Sequence, residues 1–161
     1  MMESFGAIVL FAAVLSTGLL AGLFYGFTVA VMPGLARTSS ATLVDTMQSI
    51  NVAIIRPSFL VTYLGAPGFT VLAIVFHLGS DTRTALPWLI AALLANVATL
   101  VITSRVNIPL NNALDAAGPS HQHSDVDGVR RSFEQRWVRW NNLRTATSAL
   151  GFVLLLLAVY V

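Results

Sequence analysis

Polar and apolar positions fall into long alternating blocks along this chain. No Asp, Glu or Arg lies between Glu3 and Arg37, between Arg56 and Asp81, between Arg83 and Arg105, or after Arg144, and Lys is absent throughout. A bilayer core about 30 Å thick is crossed by about 20 helical residues at ~1.5 Å rise. Each charge-poor interval therefore predicts one spanning helix, at about 5–32, 57–78, 85–107 and 141–161. The expected architecture is an all-α, integral membrane four-helix bundle in a single domain. A short interfacial helix follows the first span, and a cytoplasmic N-terminal extension precedes the last.

Within the third interval the pattern has a finer grain. Asn96, Thr99, Thr103, Asn107 and Asn111 recur every three or four residues among Val, Leu, Ile and Ala, which stacks them on one helical face. An amide buried without a partner costs roughly 1–3 kcal/mol, so this stripe is expected to face other helices, water or a ligand rather than lipid. A second stripe, Glu134, Trp137, Asn141, Arg144 and Ser148, opens the last helix at the same membrane level. Only 17 residues follow Arg144, too few for a full crossing, so its guanidinium snorkels to the interface or is drawn into the bundle.

The connecting segments add detail. Gly18, Gly22 and Gly26 form a small-residue seam that serves either internal helix packing or a homo-oligomer face. Met32-Pro33-Gly34 is expected to end the first helix, and Pro109 to interrupt the third. From Ser39 or Ser40, Leu43, Met47, Ile50 and Ile54 form an apolar stripe at helical spacing, which brings Asn51 and Arg56 to the level of Asn107. Pro67-Gly68 predicts a kink in the second span. The turn GSDTRTA is short enough to make the second and third helices antiparallel neighbours.

Composition and charge narrow the function classes. At 56% hydrophobic, 10% charged and a mean hydropathy of +0.77, the chain is too apolar for a soluble domain of 161 residues. The first apolar run lacks a basic leader and an A-x-A site, so it is expected to be retained rather than cleaved. With no Cys, disulfides, thiolate metal sites and cysteine nucleophiles are excluded. A net charge of +2 does not suggest a nucleic-acid partner. His121 and His123 form an H-x-H with no third ligand nearby, which reads as a solvated loop. Eight of the nine arginines flank the first and third connections. The positive-inside rule then puts those connections in the cytoplasm and both termini outside a plasma membrane.

Three motifs carry a resemblance. V-N-I-P-L-N at Val106 to Asn111, F-x-x-R-W-x-x-W-N-x-x-R-T at Phe133 to Thr145 and G-x-F-Y-G-F-x-x-x-V-M-P at Gly22 to Pro33 resemble the anthrone oxygenase-like family of small four-helix membrane proteins. The resemblance covers nearly the whole chain. It implies a monooxygenase of aromatic polyketide chemistry that oxidises an anthrone to an anthraquinone, with molecular oxygen as co-substrate and no metal or flavin cofactor. Such chemistry needs a base, donors to an enolate oxygen and a dry slot for flat rings. The residues available for it are Asn107, Asn111, Asn141 and Arg144 as donors and Glu134 as base, or a water held by the amides. Tyr25, Asn51, Arg56, Tyr63, Trp137 and Trp140 are left to hold the substrate. The same slot suits a non-catalytic binder of a quinone or lipid-like ligand, and a purely structural membrane protein has no need of it.

Overall fold

The computed structural model describes residues 2–79 and 83–161, with side chains from Phe5 onward. It is helical, with α1 (Met2–Gly26), α2 (Met32–Leu35), α3 (Ser40–Ile54), α4 (Pro57–His77), α5 (Leu86–Ile102), α6 (Ile108–Ala117) and α7 (Val126–Tyr160). Four stretches, Phe5–Leu35, Pro57–His77, Arg83–Ala117 and Val126–Tyr160, are long and apolar enough to cross a membrane. This is an integral membrane protein. Helix α1 packs on α4 and α7, and α5 packs on the same two, so the spans form a ring in chain order. Ser80 to Thr82, the middle of the expected turn between α4 and α5, lie outside the described residues.

Two prolines expected to stop helices do not. A π-helical turn, Phe27–Val31, joins α1 to α2 through a Met32 N–H to Phe27 O bond, and a second, Thr103–Asn107, joins α5 to α6 through Ile108 N–H to Thr103 O. In both places a proline follows two residues after the π turn, Pro33 after Val31 and Pro109 after Asn107. Proline brings no N–H and its ring collides with the carbonyl four residues back. One extra residue in the turn moves that carbonyl aside and leaves the proline at the start of the next α-helical segment, where a missing N–H costs nothing. Helix α4 likewise runs unbroken through Pro67.

The buried apolar core has two main parts. Leu10, Ala13, Ala73, Leu89, Ala92 and Leu155 fill one end of the ring. Phe27, Met32, Leu43, Val44, Met47, Leu114, Phe133 and Trp137 fill the other, where α3 lies across α6 and α7. Helix α3 starts at its Ser39 cap, whose Oγ accepts from Thr42 N–H. Gln48 Nε2 then donates to Leu114 O and Gly118 O, satisfying carbonyls at the C-terminal end of α6 and pinning α3 there. Asp45 accepts from the Ser120 N–H at 3.1 Å and its hydroxyl at 2.7 Å. At 35 residues, α7 is ~52 Å long, well beyond one bilayer core. Asp125 caps it by accepting from Gly128 N–H.

The glycine seam divides. A methyl on Gly18 would stand 2.8 Å from the Phe152 ring, so this glycine lets α1 meet α7, whereas nothing lies within 4 Å of that position at Gly22 or Gly26.

Candidate functional site

The polar stripe of the third span is buried as its composition requires, but its members do different things. Asn96 Nδ2 donates to Thr17 Oγ1, Thr70 Oγ1 and Ala66 O, tying α1, α4 and α5 together. Gly151 makes room for it on α7. Thr99 and Thr103 return their hydroxyls to the carbonyls one turn back, Ala95 O and Thr99 O. These groups are satisfied and structural. Asn107 is not: it is 0% exposed, and among the described residues neither its Nδ2 nor its Oδ1 has a hydrogen-bond partner. Buried side-chain amides are rarely left so.

Asn107 closes the second π turn and lines a cavity of about 280 Å³. The cavity lies among α1, α3, α4, α6 and α7. Its walls are Phe24, Phe27, Met47, Ile50, Phe59 and Trp137, and its polar groups are Asn51, Tyr63, Thr103, Asn107, Asn111, Asn112, Asp115 and Arg144. Both π turns contribute, the first through Phe27 and the second through Thr103 and Asn107. Such turns recur at functional sites because they shift side chains around the helix.

Arg144 is the second unusual group. Its residue is 7% exposed, and among the described residues the ion pairs are Arg130–Glu134 and Arg131–Asp125, neither involving it. Its Nε donates to Asn141 Oδ1 at 2.9 Å, and its guanidinium lies 4.2 Å from the Phe24 ring centroid and 5.1 Å from that of Trp137. Cation–π attraction to two faces compensates part of the lost hydration. Asn141, fully buried, does not line the cavity. It donates to Phe24 O and Thr28 Oγ1 and holds the arginine in place from behind.

The remaining candidates separate into those at the cavity and those elsewhere. Asn51 lines it and donates to Asp115 Oδ1 at 3.2 Å. Tyr63 lines it with its hydroxyl on Leu100 O, and Asn111 lines it while accepting from Trp137 Nε1 at 2.8 Å. Tyr25, by contrast, is 58% exposed, because one step along α1 turns it outward and gives the inner position to Phe24. Arg56 is exposed at the cap of α4, and Trp140 is half-buried; neither lines the cavity.

Glu134 is also elsewhere. Arg130, four residues back, donates Nε to its Oε2 at 2.6 Å and Nη2 to its Oε1 at 3.3 Å, and also donates to Thr38 O and Ala36 O. The pair clasps the α2–α3 connection to α7, and Glu134 lines a separate groove with Thr28, Met32 and Gln135. His121 is exposed and His123 Nε2 lies against Gly118 O, both away from the cavity.

The residue missed in the sequence is Asp115, the carboxylate of the cavity lining. Its signal was present, since it extends the Asn107, Asn111 spacing by one further step of four. Phe59 is one turn before Tyr63 and shows the same kind of signal; the two rings stack at 5.6 Å.

A profile of the family described as Anthrone oxygenase matches residues 57–154, more than half of the chain. The protein belongs to the anthrone oxygenase family. The match takes in α4, α5, α6 and most of α7, and so covers Tyr63, Asn107, Asn111, Trp137, Asn141 and Arg144. The cavity wall supplied by α1 and α3 lies before it. No curated protein and no solved structure matches the anthrone oxygenase-family chain.

Proposed function

We propose that this member of the anthrone oxygenase family is a membrane-embedded oxygenase that converts a flat polycyclic anthrone to the quinone in the cavity beside Asn107. The observation that carries the proposal is the fully buried amide of Asn107, in a ring-lined cavity shared with Arg144, where among the described residues the amide has no partner and the arginine no carboxylate. Donors held ready in a dry site stabilise oxygen-centred charge as it develops, since they need no reorganisation when the reaction occurs.

The reaction balances with oxygen alone. Loss of one benzylic proton leaves an enolate whose oxygen faces Asn107 and Arg144. The electron-rich benzylic carbon reduces O₂ and bonds to it, and a proton completes the hydroperoxide. Loss of the second benzylic proton breaks the O–O bond, expels the outer oxygen as water after protonation, and forms the second carbonyl. One O₂ is consumed, one of its atoms enters the product and the other leaves as water. Because Glu134 is held by Arg130 outside the cavity, Asp115 replaces it as the proton acceptor, with Asn51 orienting its carboxylate. No organic cofactor or metal takes part in this scheme.

On this reading the cavity end of the bundle faces the cytoplasm, as the arginine distribution suggests, and the membrane is the plasma membrane. Gly22 and Gly26 are free to seat a second copy. The test is oxygen uptake by the purified protein with a polycyclic anthrone, comparing the native chain with Asn107→Ala. Uptake with quinone formation that Asn107→Ala slows by about 100-fold supports the proposal. Equal turnover by the variant removes it.

A non-catalytic reading has one observation in its favour: Asp115, the carboxylate of the lining, is exposed rather than buried and so is not enclosed with a bound ring. A quinone binder would give ligand-dependent thermal stabilisation without oxygen uptake.

A further inference from the structure

The charge inside the cavity is unbalanced. Arg144 spends its Nε donor on Asn141, and among the described residues its other guanidinium N–H groups have no acceptor. Among the described residues the one carboxylate in the lining, Asp115, is exposed, receives Asn51 Nδ2 on Oδ1 and makes no ion pair. A buried, unpaired cation inside a membrane bundle is costly, and so is a buried amide with neither end bonded. Asn107 and Arg144 carry both costs in the same cavity. One guest relieves both at once if it brings a negative oxygen. The walls say what else that guest is: Phe24, Phe27, Phe59, Tyr63 and Trp137 line the space with aromatic rings, which suits a fused aromatic system. At about 280 Å³ the space is near the lower end of ligand pockets, which suits a compact rigid molecule.

We infer that the cavity takes its guest as an anion, a flat acidic phenol or enol bound as its conjugate base with the charged oxygen against Arg144 and Asn107. The inference rests on the same cavity as the oxygenase proposal but concerns the ground state. The substrate class becomes fused-ring phenols and enols acidic enough to ionise on entry. The proton is given up to Asp115, the carboxylate of the lining, as the ring passes it. The charge recognition holds whether or not oxygen then reacts.

The test uses ligands with no oxidisable benzylic C–H, so that it reads charge recognition alone. Anthracene-9-carboxylate and its neutral amide, anthracene-9-carboxamide, are titrated into the purified protein in non-ionic detergent by calorimetry, alongside decanoate as an alkyl carboxylate. The carboxylate should bind about tenfold or more tighter than the amide, since hydrogen bonds to charged groups are the stronger ones. Arg144→Gln should erase that preference while leaving the amide's affinity within about twofold. If Arg144→Gln does not fold, Asn107→Leu serves instead and should reduce the carboxylate's advantage. Equal binding of carboxylate and amide to the native protein, or a preference that survives the substitution, overturns the inference. Decanoate binding tighter than anthracene-9-carboxylate overturns the aromatic assignment. Charge-selective binding without oxygen uptake would sink the oxygenase proposal alone, and uptake without charge selectivity would sink this one alone.

Discussion

Asn141 holds Arg144 in place: its Oδ1 accepts from Arg144 Nε at 2.9 Å while its Nδ2 reaches across to Phe24 O at 3.2 Å and Thr28 Oγ1 at 2.9 Å on the first span. The amide thereby fixes α7 to α1 and aims the guanidinium between the Phe24 and Trp137 rings. A group that lies outside the cavity decides the direction of the cation inside it.

Replacing Asn141 by Leu should therefore act on both stability and function. The substitution leaves Arg144 Nε without its acceptor, while Phe24 O keeps the Thr28 hydroxyl; one buried group without a partner costs roughly 1–3 kcal/mol. In a double-mutant cycle, Asn141→Leu and Arg144→Gln should be non-additive, because each removes the same contact. Thermal unfolding in detergent of the four proteins measures this. Simple additivity would mean the two residues are independent.

Asn107 should behave in the opposite way. Its amide has no partner among the described residues, so Asn107→Leu, of similar volume, should leave stability unchanged or raise it by about 1 kcal/mol. The same change should lower turnover of an anthrone by on the order of 100-fold, the usual effect of removing one oxyanion donor. Unfolding curves and oxygen uptake on one preparation check the pair of outcomes. A destabilised Asn107→Leu protein would show that the amide has a structural partner.

The glycine seam predicts a contrast between neighbours. Gly18→Ala puts a methyl 2.8 Å from the Phe152 ring and should destabilise by about 1 kcal/mol through overpacking. Gly22→Ala meets open space and should leave the monomer's stability intact. Should Gly22→Ala instead change the sedimentation of the purified protein, the outward half of the seam is an interface between copies.

Asp45 gives the expected pH response away from the membrane spans. Hydrogen bonds from the Ser120 hydroxyl and then its N–H hold the carboxyl below its ordinary value of 3.8, helped by the charge of His121 and opposed by partial desolvation. A depressed folded value means that the contribution is fully present above the ordinary pKa and fades as pH falls through the lower folded one. Asp45→Asn should thus lower the melting temperature at neutral pH and at pH 5. Below the folded value it should have no effect, as a pH series of melting curves will show.

Much of the architecture is legible in the sequence because charge is expensive in lipid. The intervals bounded by Arg37, Arg56, Arg83, Arg105 and Arg144 expose the four spans directly, and the Ser39 cap with the Leu43 and Met47 spacing exposes α3. The site is legible only as faces. Periodicity places Asn96, Thr99, Thr103 and Asn107 on one stripe, but which of them is satisfied depends on Thr17, Thr70 and Ala66 of other helices. Phase errors of one residue give Tyr25 the position that Phe24 occupies. The π turns escape a reading of proline as a stop, because the extra residue that accommodates Pro33 and Pro109 leaves no mark in composition. Glu134 lies on the right helix at the right level, and its capture by Arg130 is visible in the i, i+4 spacing once competition between partners is considered.

The fate of isotopically labelled oxygen decides whether the cavity beside Asn107 catalyses the oxidation. Purified protein is incubated with a polycyclic anthrone and labelled O₂, and the quinone is analysed by mass spectrometry. One labelled atom is expected in the new carbonyl, with about 100-fold slower formation by Asn107→Ala. Labelled quinone formed at the same rate by native protein, Asn107→Ala and detergent alone would contradict that expectation.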